Sequence, residues 1–403
     1  MRRLLLLLRS PWSWILIGTL LRLMHILTLG NRYYFGDTVE YEAAALRILH
    51  GIGLDGASPR APLYPLFMAV SFWIGGEGNY VMTRLLKLGL AIGLMVVVSR
   101  VADRIGGRPA ATLAAMGIAL SPTIVFVSGL LYPTTLYMLL LAALTLATWD
   151  LGENPNGRRG ALFGLLLGLG WLTDQVVLAP VIAMGVWLLY RMRHTGAAMA
   201  RALAISTIVA AIVVLPYMMS LQHGRSDRIF MRKAQSVLHS ARTDSVLAQE
   251  RWVHFAPGTP FVPKSPHGFA RQEGLLFVKQ PVGYLHDLAW EFLHFFRPVP
   301  DRVQSENRFT QPVVLYVGGI YFLALLTLAI LGLGFGQGPR RGRVLLAAVV
   351  LATACFYSFF FTQARYRVPV EPQLIVLAAL GVQRAFPRLT ALLSGSDPGA
   401  DPS

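Results

Sequence analysis

Apolar runs of about 18 to 22 residues recur along the chain, each long enough to cross roughly 30 Å of hydrocarbon as a helix. They predict spans at 12–29, 80–101, 109–127, 133–150, 160–172, 176–190, 202–220, 312–333, 344–361 and 369–386, with the fifth conspicuously short. One further run, "APLYPLFMAVSFWIGG" over 61–76, offers only about 13 clean apolar residues and is too short to cross. It is expected as an interfacial helix over 62–74 on the outer surface. Before it, Val39, Ala43 and Leu46 recur at helical spacing and predict a short helix over 38–49. The remaining polar stretches divide the chain. Residues 1–220 form a transmembrane module that carries a first outer loop at 31–79. Residues 221–311 form a second outer region, which ends in an aromatic-rich amphipathic helix after Pro281. Residues 312–386 hold the last three spans, and 387–403 is a disordered tail.

Composition makes this reading a class. The 403 residues are 55% hydrophobic and only 14% charged, too few charges to cover a soluble domain of that size. The expected fold is therefore an all-α polytopic membrane protein of about ten spans. A formal charge of +16 invites nucleic acid as a partner. However, the arginines lie in short clusters between apolar runs and form no single reading face, which excludes it. With the N-terminus inside, every inner turn is basic: Arg2, Arg3 and Arg9; Arg100, Arg104 and Arg108; Arg158 and Arg159; Arg191, Arg193 and Arg201; Arg340, Arg341 and Arg343; Arg384 and Arg388. That pattern puts both termini in the cytoplasm. The basic N-terminus lacks a small-residue cleavage site at the right distance and reads as an uncleaved first span.

A second set of charges falls inside or beside the apolar runs, where each costs about 2.5–3.5 kcal/mol on insertion scales. Arg22 and His25, Arg84 and Lys87, Asp174, Arg365 and Arg367, and Glu371 all gather at the outer ends of their spans. Snorkelling accounts for some of them, but positive-inside statistics disfavour arginine there. In "FTQARYRVPVEP", Pro369 biases the preceding residues toward an extended strand. Arg365 and Arg367 then make a fork suited to phosphate, with Tyr366 facing away; simple anchoring is the plainer alternative.

The first outer loop opens with "YYFGDTVEYEAAALRILHG", which brings Asp37, Glu40 and Glu42 to the outer surface of a strongly basic protein. Asp37 as N-cap and Glu40 three residues on would make a capping box. The same exposed carboxylate could also take a proton from a substrate hydroxyl.

In order along the chain, "FGDTVEYEAAALRILHGIG", "PRAPLYPLFMAVSFWIGG", "SRVADRIGGRPAA", "ALSPTIVFVSGLLYPTTLYMLLL" and "ARYRVPVEPQLIVLAALG" resemble the GT-C membrane glycosyltransferases. The similarity is to the bacterial protein-mannosyltransferase and aminoarabinose-transferase type. It runs over most of the chain and is weakest in 221–311. The resemblance implies transfer of a sugar from a polyprenyl-phosphate donor to a lipid, glycan or protein acceptor at the periplasmic face of a bacterial inner membrane. It implies Asp37 as the catalytic aspartate, with Glu40 and Tyr41 beside it. Arg60, ahead of the "APLYP" segment that contains Tyr64, and Arg365 with Arg367 are implied at the active-site rim or donor phosphate. Where relatives often carry a basic residue after Leu-Thr, this chain has Asp174. Arg84 or Lys87 is then expected to hold the donor, with Arg22, Tyr41, Tyr64, Asp174 and Tyr366 in support. A divalent cation such as magnesium or manganese could bridge Asp37, Glu40 and a phosphate; the histidine spacing argues against zinc. Two rival readings stand beside this one. A lipid-glycan flippase or transporter needs charges near the bilayer midplane. A non-catalytic membrane scaffold needs Asp37 only as a cap.

Overall fold

A computed structural model describes residues 9–53, 60–220, 277–278, 281–299, 312–359 and 362–394. Most of the expected second outer region and the tail beyond 394 lie outside the described residues. The described part is helical, with no strand. In chain order the helices are α1 (Pro11–Leu29), α2 (Asp37–Leu49), α3 (Leu63–Gly75), α4 (Tyr80–Leu120), α5 (Pro122–Gly129), α6 (Thr134–Glu153), α7 (Gly157–Thr173) and α8 (Leu178–Ser220). They continue as α9 (Pro281–Phe295), α10 (Pro312–Phe335), α11 (Arg340–Ser358), α12 (Ala364–Arg367), α13 (Glu371–Ala385) and α14 (Pro387–Ser394).

Among the described residues, seven helices are long and apolar enough to cross a membrane, or up to eight if a pair bent by 108° at Pro387 counts as one span. The ten expected runs are distributed differently for two reasons. Helix α7 has only 17 residues. Helix α4 has 41, but Gly107 at φ 73° breaks it, ahead of Pro109. Across that break the Ser99 hydroxyl donates to the Ala111 carbonyl at 3.2 Å. Twelve residues along a straight helix would lie about 18 Å apart, so α4 is a hairpin of two antiparallel limbs. Helix α8 reverses likewise at Gly196, φ 46°. Its second limb runs along α7, with Ala202, Ser206 and Val213 against Gly160, Gly164 and Gly168. Glycines four residues apart on one face allow this close approach. The tail expected to be disordered from 387 begins with α14, whose proline suits a helix start.

Helix α3 has 13 residues, about 20 Å at the helical rise, and cannot cross. It is tied to α4 through Ser71 and Thr83, whose hydroxyls lie 2.6 Å apart. Tyr64 and Phe72 face the core, and Trp73 is exposed. Phe72 therefore packs inside.

Two helix breaks, at Pro122 and before Pro133, are closed by buried cations. Between α4 and α5, Pro122 brings no N–H to the Ile118 carbonyl. Arg22 supplies it instead, donating to Ile118 at 2.8 Å, Ala119 at 3.3 Å and Gly18 at 3.0 Å. Between α5 and α6 the chain leaves the helix at Leu130, and Pro133 again brings no N–H. Here Arg84 donates to Gly129 at 2.8 Å, to Gly30 at 2.6 Å and to Arg32. Lys87 donates to Tyr132 at 2.9 Å and to Leu130. All three side chains are buried. Arg84 and Lys87 were expected at the donor phosphate, and Arg22 in support of it. They hold backbone carbonyls instead, because an orphaned carbonyl in apolar surroundings is costly.

The expected Arg365–Arg367 fork is also absent. Ala364–Arg367 is a helical turn that runs through a short 3-10 helix into α13. The conformation of Pro369 suits a helix start, and Val368, Pro369 and Val370 are buried there, which overrides the bias toward an extended strand. Arg367 turns inward to Glu371 at 3.3 Å and to the carbonyls of Arg297 and Pro298, over the Phe322 ring at 3.5 Å.

The clamp at the first break predicts that Arg22→Met destabilises the protein by about 1–3 kcal/mol for each orphaned carbonyl. The check is a thermal melt in detergent. An unchanged melting temperature would remove Arg22 from this role.

Candidate active site

The site forms where α2 starts. Gly36 is the N-cap, Asp37 is the first helical residue, and the Asp37 side chain makes no capping bond. The capping-box reading thus fails for both acids. Asp37 Oδ1 lies 3.4 Å from Arg60 Nη2, and Oδ2 lies 3.6 Å from Arg365 Nη1. One turn on, Glu40 Oε2 accepts from Arg60 Nε at 2.7 Å. Glu42 is engaged elsewhere and accepts from the Tyr80 hydroxyl at 2.8 Å. Three segments far apart in sequence therefore meet at one carboxylate. The Asp37 and Arg365 side chains remain 41% and 48% exposed, so a substrate can reach both.

Aromatic rings position the two arginines. Arg60 lies over the Tyr41 ring at 4.8 Å and its Nη1 donates to the Tyr41 hydroxyl at 3.4 Å. Tyr41 meets Tyr64 edge-on at 5.1 Å and Tyr132 at 6.2 Å. Arg365 lies over Tyr366 at 5.2 Å. Tyr366 in turn stacks on Tyr357 at 4.5 Å, with the rings 2° from parallel, and Tyr357 stacks on Phe295 of α9 at 6.2 Å. Cation–π contact and stacking leave these guanidiniums few rotamers. Thr362 anchors the turn before Arg365, its backbone N–H donating to Glu291 at 3.0 Å.

Burial works against the Arg60 charge, but Tyr41, Asp37 and Glu40 outweigh it and raise its pKa above the ordinary arginine value. It is a permanent cation. Burial pushes the Tyr41 phenol up to about 12; Arg60 opposes this, while Asp174, Asp37 and Glu40 add to it. Tyr132 is raised by burial and then by Asp37.

Of the expected residues, Asp37, Glu40, Tyr41, Arg60, Arg365 and Tyr366 come together, and Tyr64 packs directly behind Tyr41. Arg22, Arg84, Lys87 and Arg367 do not join them. Asp174 Oδ1 accepts from the Val176 N–H at 3.1 Å, capping the turn after α7. Tyr132 and Tyr357 are present without having been expected. Both lie at the ends of apolar runs, where tyrosine is unremarkable as an interface residue, so nothing local marks them. Among the described residues no group of three or more His, Cys, Asp or Glu is disposed to hold a metal ion. Asp37 and Glu40 share Arg60 in the place a divalent cation would occupy, so this pair does not fit one as arranged.

Tyr41 is neutral in both folded and unfolded chains at low pH, so its burial carries no penalty below about pH 10. Between 10 and about 12 only the unfolded chain ionises, and stability falls by roughly 3 kcal/mol. Tyr41→Phe should flatten that alkaline decline in melting temperature; an unchanged slope would show that Tyr41 is not the buried phenol responsible.

No protein-family profile and no curated protein matches the chain. Solved structures do. ArnT from Cupriavidus metallidurans bound to undecaprenyl phosphate aligns with TM-score 0.58 at 16% identity, covering 93% of this chain and 61% of ArnT. The Archaeoglobus fulgidus oligosaccharyltransferase AglB, in complex with an inhibitory peptide and a dolichol-phosphate, aligns with TM-score 0.57 at 16% identity over 97% of this chain and 52% of AglB. The same oligosaccharyltransferase in complex with zinc and sulfate aligns with TM-score 0.56 at 13% identity over 95% and 50%. The chain thus spans about three fifths of ArnT and about half of AglB. Over that shared length, this chain shares its fold with ArnT and with AglB.

Proposed function

We propose that the protein is a membrane glycosyltransferase that moves a sugar from a polyprenyl-phosphate donor to a hydroxyl acceptor at the outer face. The observation that carries this is the exposed Asp37 carboxylate held between Arg60 and Arg365, at 3.4 and 3.6 Å. Those separations are long for charge-assisted bonds, which run at about 2.7–2.9 Å, and a phosphate entering the rim can take over Arg365 as its partner. The acceptor hydroxyl then gives its proton to Asp37. Its oxygen bonds to the anomeric carbon from the side opposite the phosphate, and the carbon–phosphate-oxygen bond breaks with its electron pair. One displacement inverts the anomeric configuration. The polyprenyl phosphate leaves as an anion, so it needs charge stabilisation more than a proton; Arg365 and Arg60 supply this. Glu40 holds Arg60 in place, and no step is routed through a metal.

The ligands bound in the similar structures, undecaprenyl phosphate in ArnT and dolichol-phosphate in AglB, support a lipid-phosphate donor. The arginine-rich inner turns support both termini in the cytoplasm and a bacterial inner membrane as the site of action. A flippase reading would need Arg22, Arg84 and Lys87 along a passage, but backbone carbonyls engage all three.

Asp37→Asn keeps size and hydrogen bonding but removes the base. Transfer should fall about 10²–10⁴-fold, about 3–5 kcal/mol of barrier, in an assay with radiolabelled undecaprenyl-phosphoryl sugar and envelope extract. Near-normal transfer would rule Asp37 out as the base. Arg365→Ala should weaken undecaprenyl phosphate binding measured in nanodiscs, and unchanged affinity would reduce this arginine to an anchor.

A further inference from the structure

Arg365 sits on a turn of four residues, α12. On its C-terminal side the turn continues into α13, but it starts from Gln363, which is extended and has no helix behind it. A start of that kind is placed by what it is tied to. Three ties reach one stretch, 291–298, at the end of α9. Ahead of Arg365, Glu291 Oε2 accepts from the Thr362 N–H at 3.0 Å and lies 2.5 Å from the Thr362 hydroxyl. Beyond Arg365, Arg367 donates to the Arg297 and Pro298 carbonyls. Alongside it, Tyr366 stacks on Tyr357 and Tyr357 on Phe295. Thr362 is buried, so without Glu291 its N–H would be left unsatisfied at a cost, and the turn would shift to mend it.

We propose that Glu291 is a positioning residue for donor binding: through Thr362 it fixes the start of the turn on which Arg365 meets the lipid phosphate. The inference rests on the glycosyltransferase reading, in which Arg365 takes that phosphate, and adds to it the group that aims the arginine. Of the three ties, the one to Glu291 holds the chain ahead of Arg365, three residues away. It is also charge-assisted, and such bonds are roughly twice as strong as neutral ones. A carboxylate repels a phosphate, so Glu291 acts by way of Thr362 and not by touching the donor. Small displacements matter here, because a misplacement of about 1 Å can cost about 10²-fold in a site that works by orientation.

The experiment measures affinity for undecaprenyl phosphate with the purified full chain in nanodiscs. It compares wild type, Glu291→Ala, Glu291→Gln, Arg365→Ala and the two double variants that carry Arg365→Ala. Glu291→Ala should weaken binding about tenfold. Glu291→Gln keeps a neutral oxygen for the Thr362 N–H and should stay within about threefold of wild type. With Arg365→Ala already in place, neither change should weaken binding further, because Glu291 acts through that arginine. A general loss of packing would instead lower affinity in both backgrounds. The role is overturned if Glu291→Ala binds like wild type, if Glu291→Gln is as weak as Glu291→Ala, or if the losses add to that of Arg365→Ala. Should Glu291→Ala fail to fold, Glu291→Gln decides: a small loss that vanishes beside Arg365→Ala supports the role, and one that persists overturns it. Wild type that does not bind, or Arg365→Ala that binds normally, would sink the donor site of the proposed function and Glu291 with it. Weakened binding by Arg365→Ala but not by Glu291→Ala sinks Glu291 alone.

Discussion

A backbone carbonyl that loses its helical partner in apolar surroundings must find another donor, and the junctions of α4, α5 and α6 are arranged around that constraint. The chain breaks its helices at Pro122 and Pro133, and at each break an arginine or lysine from a neighbouring span reaches the freed oxygens. These contacts join α1, α4 and the α5–α6 connection into one unit. Tyr132 and Phe35 lie beside it with their ring centroids 6.1 Å apart, and they lead into the site. A buried cation is expensive by itself. Several carbonyl oxygens around one guanidinium offset much of that cost and turn a liability into a lock on local geometry.

The rim above this unit works by the opposite arrangement. Asp37, Arg60 and Arg365 are partly exposed, and Asp37 lies 3.4 and 3.6 Å from the two arginines. What is rigid is their backing: Tyr41 under Arg60, and the Tyr366–Tyr357–Phe295 stack under Arg365. That stack also ties the arginine to α9.

Much of this was legible along the chain because it depends on local chemistry. Hydropathy located the apolar segments, and the reversal at Gly107 falls in the gap between the expected spans 80–101 and 109–127. The meeting of Asp37 with Arg60 and Arg365 was expected from the family resemblance; of the three, only Arg365 was also marked by its place at the end of a span. Where a local rule competed with burial, it lost: Pro369 starts a buried helix rather than following an extended strand, and Arg367 goes inward with Glu371.

The sequence by itself determined the helical segments, the places where they turn, and the depth at which the charged residues collect, because hydrophobic length and backbone conformational limits are properties of adjacent residues. Only the tertiary structure decided which of those equally deep cations faces the rim. Arg22, Arg84, Lys87 and Arg367 carry the same charge as Arg60 and Arg365. What separates them is whether a neighbouring helix, distant in sequence, presents orphaned carbonyls or a buried carboxylate within reach. That depends on packing, which no stretch of the chain encodes alone.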